Sequence, residues 1–499
     1  MTQPQRTLHE IRLIRQKKLH ELRQMGINPY PYRFEVTHHS ADIQVMKDGD
    51  FPPDVAVAGR VVSLRRMGKA SFAHLMDALG KQQIYVKMDL VCEDTYEKLF
   101  RRVDLGDFLG VQGRVFRTKT GEITVEARTL ELLAKSLRPL PNLKEKEGEI
   151  FDPFEDKENR YRHRYLDLIV NPQVKEVFIK RARIIRLLRR FMDDHGYIEV
   201  ETPALQPLYG GASARPFTTF HNALDQTLYL RIADELYLKR LIIGGFEKVY
   251  EIAKDFRNEG MDRYHNPEFT ALEYYQAYAD YNDMLAFTEM LFKTVAEQLD
   301  STIIVYQGHE IDFGPAFARV SLFELLSRYA GEDLSAMTDV KDLYCFARDR
   351  NLDVAKGLHY GQLLDKIFGL LVEPQLIHPT FVMDYPKTIS PLAKTHRDGP
   401  DNLVERFELF IAGMEFANAF SELNDPLDQR ARLEDQARLR EAGDEEAQVV
   451  DEEFLEAMEF GMPPTGGVGI GVDRLVMLFT GQDSIKDVIL FPAMRPTQL

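Results

Sequence analysis

Residues 248–277, KVYEIAKDFRNEGMDRYHNPEFTALEYYQA, constrain this chain more than any other stretch. Two runs rich in β-branched and aromatic residues flank a polar loop: Val249, Tyr250, Ile252 and Phe256 before it, Phe269, Leu272, Tyr274 and Tyr275 after it. Alternate residues of a strand share a face. Glu251, Ala253, Asp255 and Arg257 therefore line up, as do Phe269, Ala271, Glu273 and Tyr275. Folded as a hairpin, the pair presents a guanidinium, carboxylates, a flat ring and a phenol on one surface, and the loop adds Glu259, Arg263, His265 and Asn266. That inventory suits a ligand with phosphates, a planar base and an amine. A solvated hairpin with ordinary charges has the same pattern, and at this level both readings stand.

Other stretches add chemistry. The stretch from Asn171, NPQVKEVFIKRARIIRLLRRFMDDHG, reads as one long helix whose buried side is Val177, Ile184, Leu187, Leu188 and Phe191, with Gly196 placed to end it. A strand at 197–201 follows, closed by Pro203, and GGASARPF at 210–217 is a Gly-led loop. A helix capped near Asp234 runs to Gly244-Gly245 and leads into the hairpin. Residues 406–426 offer strand, turn at Ala412-Gly413, strand. Glu408 and Glu415 flank that turn, and paired carboxylates of this kind hold Mg²⁺ against a triphosphate. Glu pairs are also common on bare surfaces. Asn418 and Glu422 share a face, which leaves Glu422 free to meet a cationic ligand. GGVGIGVDRLVMLFTG at 466–481 is a glycine-rich strand turning into a helix. It is not the dinucleotide fingerprint, because Gly469-x-Gly471-x-x is followed by Arg474. Its glycines admit a close ligand, and Arg474 on the first helical turn can cover a ring or a phosphate.

The ends of the chain differ from this. From 54 to about 133, five strand candidates with Gly-punctuated turns and a short helical piece at 96–100 fit a small Greek-key barrel of the oligonucleotide-binding type. Arg65, Arg66, Lys69, Phe72, Gln83 and Tyr85 mix charge, rings and amides, which an unstacked base needs. In the helical stretch 6–25, Arg6, Arg12, Arg15, Lys17, Lys18 and Arg23 outweigh Glu10 and Glu21. That helix touches phosphates or is simply solvated. Residues 1–53 are expected to form an N-terminal helical extension, 54–140 the barrel, 141–165 a proline- and charge-rich linker, and 166–499 a second, larger domain. Helices are expected at 283–298, 321–329, 339–350 and 361–371, a largely helical peripheral region around 280–375.

Composition narrows the class. With 63 Lys+Arg against 79 Asp+Glu, a net charge of -16 argues against a histone-like binder but leaves room for a local basic patch. Cys92 and Cys345 alone make neither a disulfide framework nor a zinc site. The opening MTQPQRTLHEIRLIRQKK has no apolar run of signal-peptide length, so a cytoplasmic protein with no membrane contact is expected.

Taken together, three stretches resemble the motifs of class II aminoacyl-tRNA synthetases: the helix–strand ending at Pro203, FRNEGMDRYHNPEFT, and GIGVDR. A barrel ahead of the catalytic domain points to the subclass charging lysine, aspartate or asparagine. Within it RRMGKASF, GGASARPF, DELYLKR, YHNPEFT and SELNDP resemble the bacterial lysyl-tRNA synthetases. MEFANAF stands where the family has a more glycine-rich run. The resemblance implies an α+β fold: an OB-fold anticodon-binding barrel, then an antiparallel sheet flanked by helices. It implies activation of L-lysine with ATP to lysyl-adenylate and transfer to tRNA-Lys, with Mg²⁺ and a homodimer. By matching positions, Arg257 and Arg474 are catalytic. ATP falls to Arg257, Glu259, His265, Asn266, Phe269, Gly471 and Arg474, with adenine between Phe269 and Arg474. Lysine falls to Gly211, Glu235, Glu273, Tyr275, Asn418 and Glu422, Mg²⁺ to Glu408 and Glu415, and the anticodon to Arg65, Phe72 and Gln83. Two other outcomes fit the same motifs: an aspartyl/asparaginyl-type enzyme, or a paralogue that modifies a protein lysine.

Overall fold

A computed structural model describes residues 7–141, 144–146, 149–151, 154, 156–444 and 446–496. Arg6 of the basic helix and parts of the expected linker lie outside the described residues. The chain divides into two compact units, Met1–Asp156 and Lys157–Leu499.

In the first unit, β1 (Val55–Met67), β2 (Ala70–Met76), β3 (Lys81–Lys87), β4 (Phe108–Arg117) and β5 (Ile123–Ala134) close into a barrel in the order β1-β2-β3-β5-β4. Alternation drives it: every second residue of β2 is buried, and Val61, Ala73, Leu75, Ile84, Val111 and Val125 fill the interior. Helix α1 (Leu8–Gln24) is fastened within this unit. Arg15 donates to the carbonyls of Leu105, Ser136 and Arg138, and Lys18 pairs with Asp104 at 2.5 Å. Two cations of the basic helix are thus already engaged.

In the second unit, helix α2 (Pro172–Asp194) starts with Pro at its first position and stops where Gly196 takes φ +77°. The sheet comprises β6 (Ile198–Glu199), β7 (Lys248–Phe256), β8 (Glu268–Ala277), β9 (Ala318–Ser321), β10 (Thr380–Pro386), β11 (Leu403–Ile411), β12 (Met414–Ser421) and β13 (Thr465–Gly471). Its order is β9-β10-β11-β12-β13-β8-β7-β6, antiparallel except for parallel pairings at both edges. One face is covered by α2 and by residues 281–298 and 472–480, and Ile184, Leu188, Tyr250, Leu272, Tyr274, Phe292 and Leu475 form the core there. On the other face the helix α3 (Glu235–Ile243) packs Leu238 and Ile242 against Val249 and Tyr275. The rest of that face is open to the site.

Two expectations change. The strand at 197–201 is only Ile198–Glu199: the Thr202 N–H and hydroxyl turn to the Glu251 carboxylate, and Pro203 has no N–H to continue a ladder. The region before 322 is not all helical, because Ile303–Tyr306 and His309–Asp312 form a hairpin and β9 joins the sheet edge. Helices at Leu322–Ala330, Val340–Asp349 and Tyr360–Leu371 follow as expected, over a separate apolar cluster. No helix among the described residues is long and apolar enough to cross a membrane.

Candidate active site

The open face of the sheet is a trough because glycine recurs at every second position of β13. Gly467, Gly469 and Gly471 share one face. A register row crosses five strands as Glu408–Asn418–Gly469–Glu273–Glu251, and the next runs Arg406–Phe420–Gly467–Tyr275–Val249. The hairpin register pairs Glu251 with Glu273, Ala253 with Ala271 and Asp255 with Phe269, the odd-numbered face read from the sequence. A cavity of about 610 Å³ sits on these rows. It is lined by Gly211, Glu235, Arg257, Glu259, His265, Asn266, Phe269, Glu273, Tyr275, Glu408, Glu415, Asn418, Glu422, Gly471 and Arg474. All fifteen candidate residues of the second unit meet there.

A β-bulge makes that gathering work. The turn at Ala412 and Gly413 has positive φ at both residues, +51° and +71°. Phe410 pairs with Glu415 but Leu409 with Ala417, so Phe416 is the extra residue. Glu415 and Asn418, an odd and an even position of one strand, consequently line the same cavity.

One end of the cavity is acidic. Glu235 and Glu422 are 5% and 1% exposed, and between them lies Nζ of Lys239, itself fully buried. Glu422 is therefore not free, as the sequence reading had it: an internal lysine faces it. Burial pushes the Glu422 carboxyl up to about 8, against the pull of Lys239. Glu273 rises to about 8 by burial and the nearby Asp255 and Glu235, while its Oε2 accepts from Tyr275 at 3.2 Å. Behind it Asp234, Asp255 and Glu273 crowd together, with the Arg231 guanidinium as counter-charge at 3.1 Å from Asp234 and 2.8 Å from Glu251.

The other end is cationic and aromatic. The Arg257 guanidinium lies 5.1 Å from the Phe269 ring centroid. Arg474 donates to the Glu415 carbonyl at 2.6 Å and to His265 Nε2 at 3.1 Å. Since a guanidinium only donates, the His265 proton sits on Nδ1, shared with Asp262 at 2.8 Å. Glu259 and His265 are exposed on the loop, whereas the buried Asn266 already bonds the Glu268 carbonyl and the Ala493 N–H. Along one side Asp365, Glu373, Glu408 and Glu415 face the cavity. Burial raises Glu408 and Glu373 to about 7, with Asp365 and Glu415 adding repulsion. Glu408 also bonds Arg406 and accepts from Tyr385 at 2.7 Å. Carboxylate oxygens are the hard donors that Mg²⁺ takes, so the Glu408 and Glu415 pair suits it chemically, although the three acids whose oxygens lie within 4.8 Å of one another among the described residues are Asp234, Asp255 and Glu273.

On the barrel, Arg65, Phe72 and Tyr85 stand in one register row, and the Phe72 and Tyr85 ring centroids are 4.9 Å apart. Arg65 is exposed and Phe72 half-buried. Gln83 sits in the adjacent row, buried, its amide donating to Glu122 at 2.6 Å and accepting from Thr124 at 2.7 Å. Arg66 is spent on the barrel itself, donating to the Val103 carbonyl at 2.7 Å.

Residue-type reasoning passed over Lys239, Arg231, Asp365 and Gly467. Lys239 was legible in DELYLKR as the residue one helical turn after Glu235, and Gly467 as a member of the period-two glycines.

Comparison with known proteins agrees with this geometry. Residues 156–495 match the family of class II tRNA synthetases (D, K and N), and residues 55–137 match an OB-fold nucleic acid binding domain. The chain is 52% identical to a curated lysine–tRNA ligase of Moorella thermoacetica, covering 98% of this chain and 99% of that one. It is 53% identical to one from Pelotomaculum thermopropionicum, covering 98% and 96%. A third, from Carboxydothermus hydrogenoformans, is 52% identical over 98% and 99%.

Proposed function

Because the chain belongs to the class II tRNA synthetases (D, K and N), we infer that it is a lysine–tRNA ligase, activating L-lysine with ATP and charging tRNA-Lys. The observation that carries this is that buried Glu235, Glu273 and Glu422 line the same cavity as Arg257 and Arg474. A substrate with two ammonium groups needs carboxylates, and its own carboxylate and the triphosphate need guanidinium. Aspartate or asparagine would instead bring a carboxylate or amide against Glu422. A paralogue that modifies protein lysine is disfavoured by the barrel.

Lysine's carboxylate oxygen attacks the α-phosphorus of ATP in line, and pyrophosphate leaves. The terminal ribose hydroxyl of tRNA-Lys then attacks the acyl carbonyl and AMP leaves. Positioning and charge neutralisation carry the chemistry. Arg257 steadies the α-phosphate and the lysine carboxylate. Arg474 and Phe269 sandwich adenine, and Glu259, His265, Asn266 and Gly471 complete the nucleotide site. Gly211, Glu235, Glu273, Tyr275, Asn418 and Glu422 hold lysine. Glu408 and Glu415 would hold Mg²⁺, which when bound neutralises triphosphate charge. Arg65, Phe72 and Gln83 read the anticodon. Exposed Ile179 on α2 and Ile198, Leu205 and Phe220 on the strands after it are apolar surface that a homodimer would cover. Cys92 and Cys345 are each free and exposed, as a reducing, cytoplasmic setting would have them.

ATP–pyrophosphate exchange with each of the twenty amino acids tests this. Exchange driven by lysine is expected. Exchange driven best by any other amino acid overturns the substrate assignment.

A further inference from the structure

Lys239 has no part in the reaction as described, yet it occupies the middle of the acidic end. It stands four residues after Glu235 on α3, and its side chain is wholly buried. Its ammonium contacts Glu235 and lies 2.5 Å from Glu422 Oε2. That second contact is an ion pair outside hydrogen-bond geometry, and Glu422 Oε1 meets no donor among the described residues. A buried ammonium is strongly disfavoured unless paired, and so is each buried carboxylate.

We propose that Lys239 is a positioning and specificity-determining residue, a fixed cation that favours the ionised forms of Glu235 and Glu422 and aims them at the cavity so that a side-chain ammonium completes the charge balance. This rests on the lysine-activating reading above. Once ionised around the substrate, Glu235, Glu273 and Glu422 carry three negative charges, and Lys239 supplies one positive charge. Lysine's α- and ε-ammonium groups match what is left, while its carboxylate goes to Arg257. The other charged or titratable groups facing this cluster are Asp234 ahead of α3 with its counter-charge Arg231, Tyr275 from β8, Asp255 from β7 and Arg406 from β11. Both cations are committed elsewhere, Arg231 to Asp234 and Glu251 and Arg406 to Glu408. Without Lys239, the carboxyls, already raised by burial, lose the one cation between them and hold their protons to higher pH. The protonated acid then offers an O–H and discriminates poorly between an ammonium and a hydroxyl. Glu422 Oε1 is the acceptor left open for the incoming group.

The test is ATP–pyrophosphate exchange by the full-length enzyme, comparing wild type with Lys239→Met and Lys239→Gln from pH 6.5 to 9. At pH 7 the variants are expected to raise KM for lysine at least tenfold while KM for ATP moves less than twofold. The ratio of variant to wild-type KM should shrink as pH rises above about 8, because alkali then ionises in the variants what Lys239 helps to ionise in the wild type; taking the ratio cancels titration of lysine itself. Discrimination between lysine and 6-hydroxynorleucine, which carries a hydroxyl in place of the ε-ammonium, should narrow. A KM ratio that is flat with pH and unchanged discrimination overturns the proposal, as does unfolding of both variants, which would make Lys239 a packing element. Wild type without lysine-dependent exchange would remove the underlying reading instead.

Discussion

A methyl group on Gly467 would lie 2.2 Å from Glu422 Oε1, and 2.3 Å from Cε1 of Tyr275. Neither neighbour can yield easily, since Glu422 is held beside Lys239 and Tyr275 is buried. The glycine is therefore what lets β13 run beneath a carboxylate and a phenol at once. Gly467→Ala should push both side chains off their positions, an overpacking cost of about 1–3 kcal/mol. Lysine-dependent kcat/KM should fall roughly 5- to 150-fold at that cost, with KM for ATP nearly unchanged. Exchange kinetics with each substrate varied in turn measure the split; equal damage to both would place the strain elsewhere.

The acidic end also predicts a pH dependence. Glu422 and Glu273 are raised from 4.5 to about 8 in the folded chain, mainly by burial. The native site therefore holds protons that the unfolded chain has lost, and stability from this source declines as pH rises from about 4.5 towards 8. Lysine's ammonium favours the ionised acids, so lysine binding releases protons and tightens across the upper part of that window. Below pH 8, KM for lysine should drop up to roughly tenfold per unit for each proton released. Thermal melts should show lysine stabilising the enzyme more at pH 8 than at pH 6. Lysine affinity independent of pH from 6 to 8 would contradict the shifted carboxyls.

Glu422→Gln should hurt lysine selectively. Removing one partner of a buried charge pair costs about 2–5 kcal/mol, and the amide also leaves Lys239 short of a counter-charge. KM for lysine should rise roughly 30- to 1000-fold or more on that scale. The ATP site, at the other end of the cavity, should be untouched. Nucleotide titration into the variant checks this: loss of ATP affinity of similar size would mean that the two ends are one cooperative unit.

The carboxylates near Arg474 predict a divalent-ion requirement. Chelation should abolish exchange and added Mg²⁺ restore it. Glu415→Gln should raise the Mg²⁺ concentration for half-maximal rate, because it removes a donor that pairs with Arg474 only loosely, at 3.5 Å. Glu408→Gln should do more damage, since its carboxylate also engages Arg406 and Tyr385. Full activity in chelator would leave the four acids without this role.

Much of this site was legible because strand alternation is a rigid rule. The odd positions of 248–277 were assignable to one face with no knowledge of the partner strands, and the observed pairing of Glu251 with Glu273 follows it. The rule fails where a residue is inserted. Counting by twos from Glu415 places Asn418 on the opposite face, and only the bulge at Phe416 reunites them. Lys239 was hidden for another reason: a lysine on a helix reads as solvent-facing, and its burial depends on Glu422, 183 positions away and supplied by a different strand. The hairpin at 303–312 was missed because each strand has only four residues, too short for a period to register.

The barrel gives the last prediction, and it separates the two steps of the reaction. Phe72 is half-buried, its ring tilted 39° to that of Tyr85, with Arg65 opposite it in register. A base laid on this row would stack on Phe72 while Arg65 meets its phosphate or edge. Phe72→Ala removes the platform without opening the interior, because Ala73 and Leu75, not Phe72, belong to the barrel core. Base–aromatic stacking contributes about 1–3 kcal/mol, so kcat/KM for tRNA-Lys should fall roughly 5- to 150-fold. Exchange of pyrophosphate into ATP requires no tRNA and should proceed at the wild-type rate. Arg65→Ala should weaken tRNA binding and lower its dependence on salt, as expected for the loss of one phosphate contact. Aminoacylation and exchange measured on the same preparations decide the matter. A Phe72→Ala enzyme slowed equally in both assays would show that the substitution disturbs the fold and that the ring is not a reading surface.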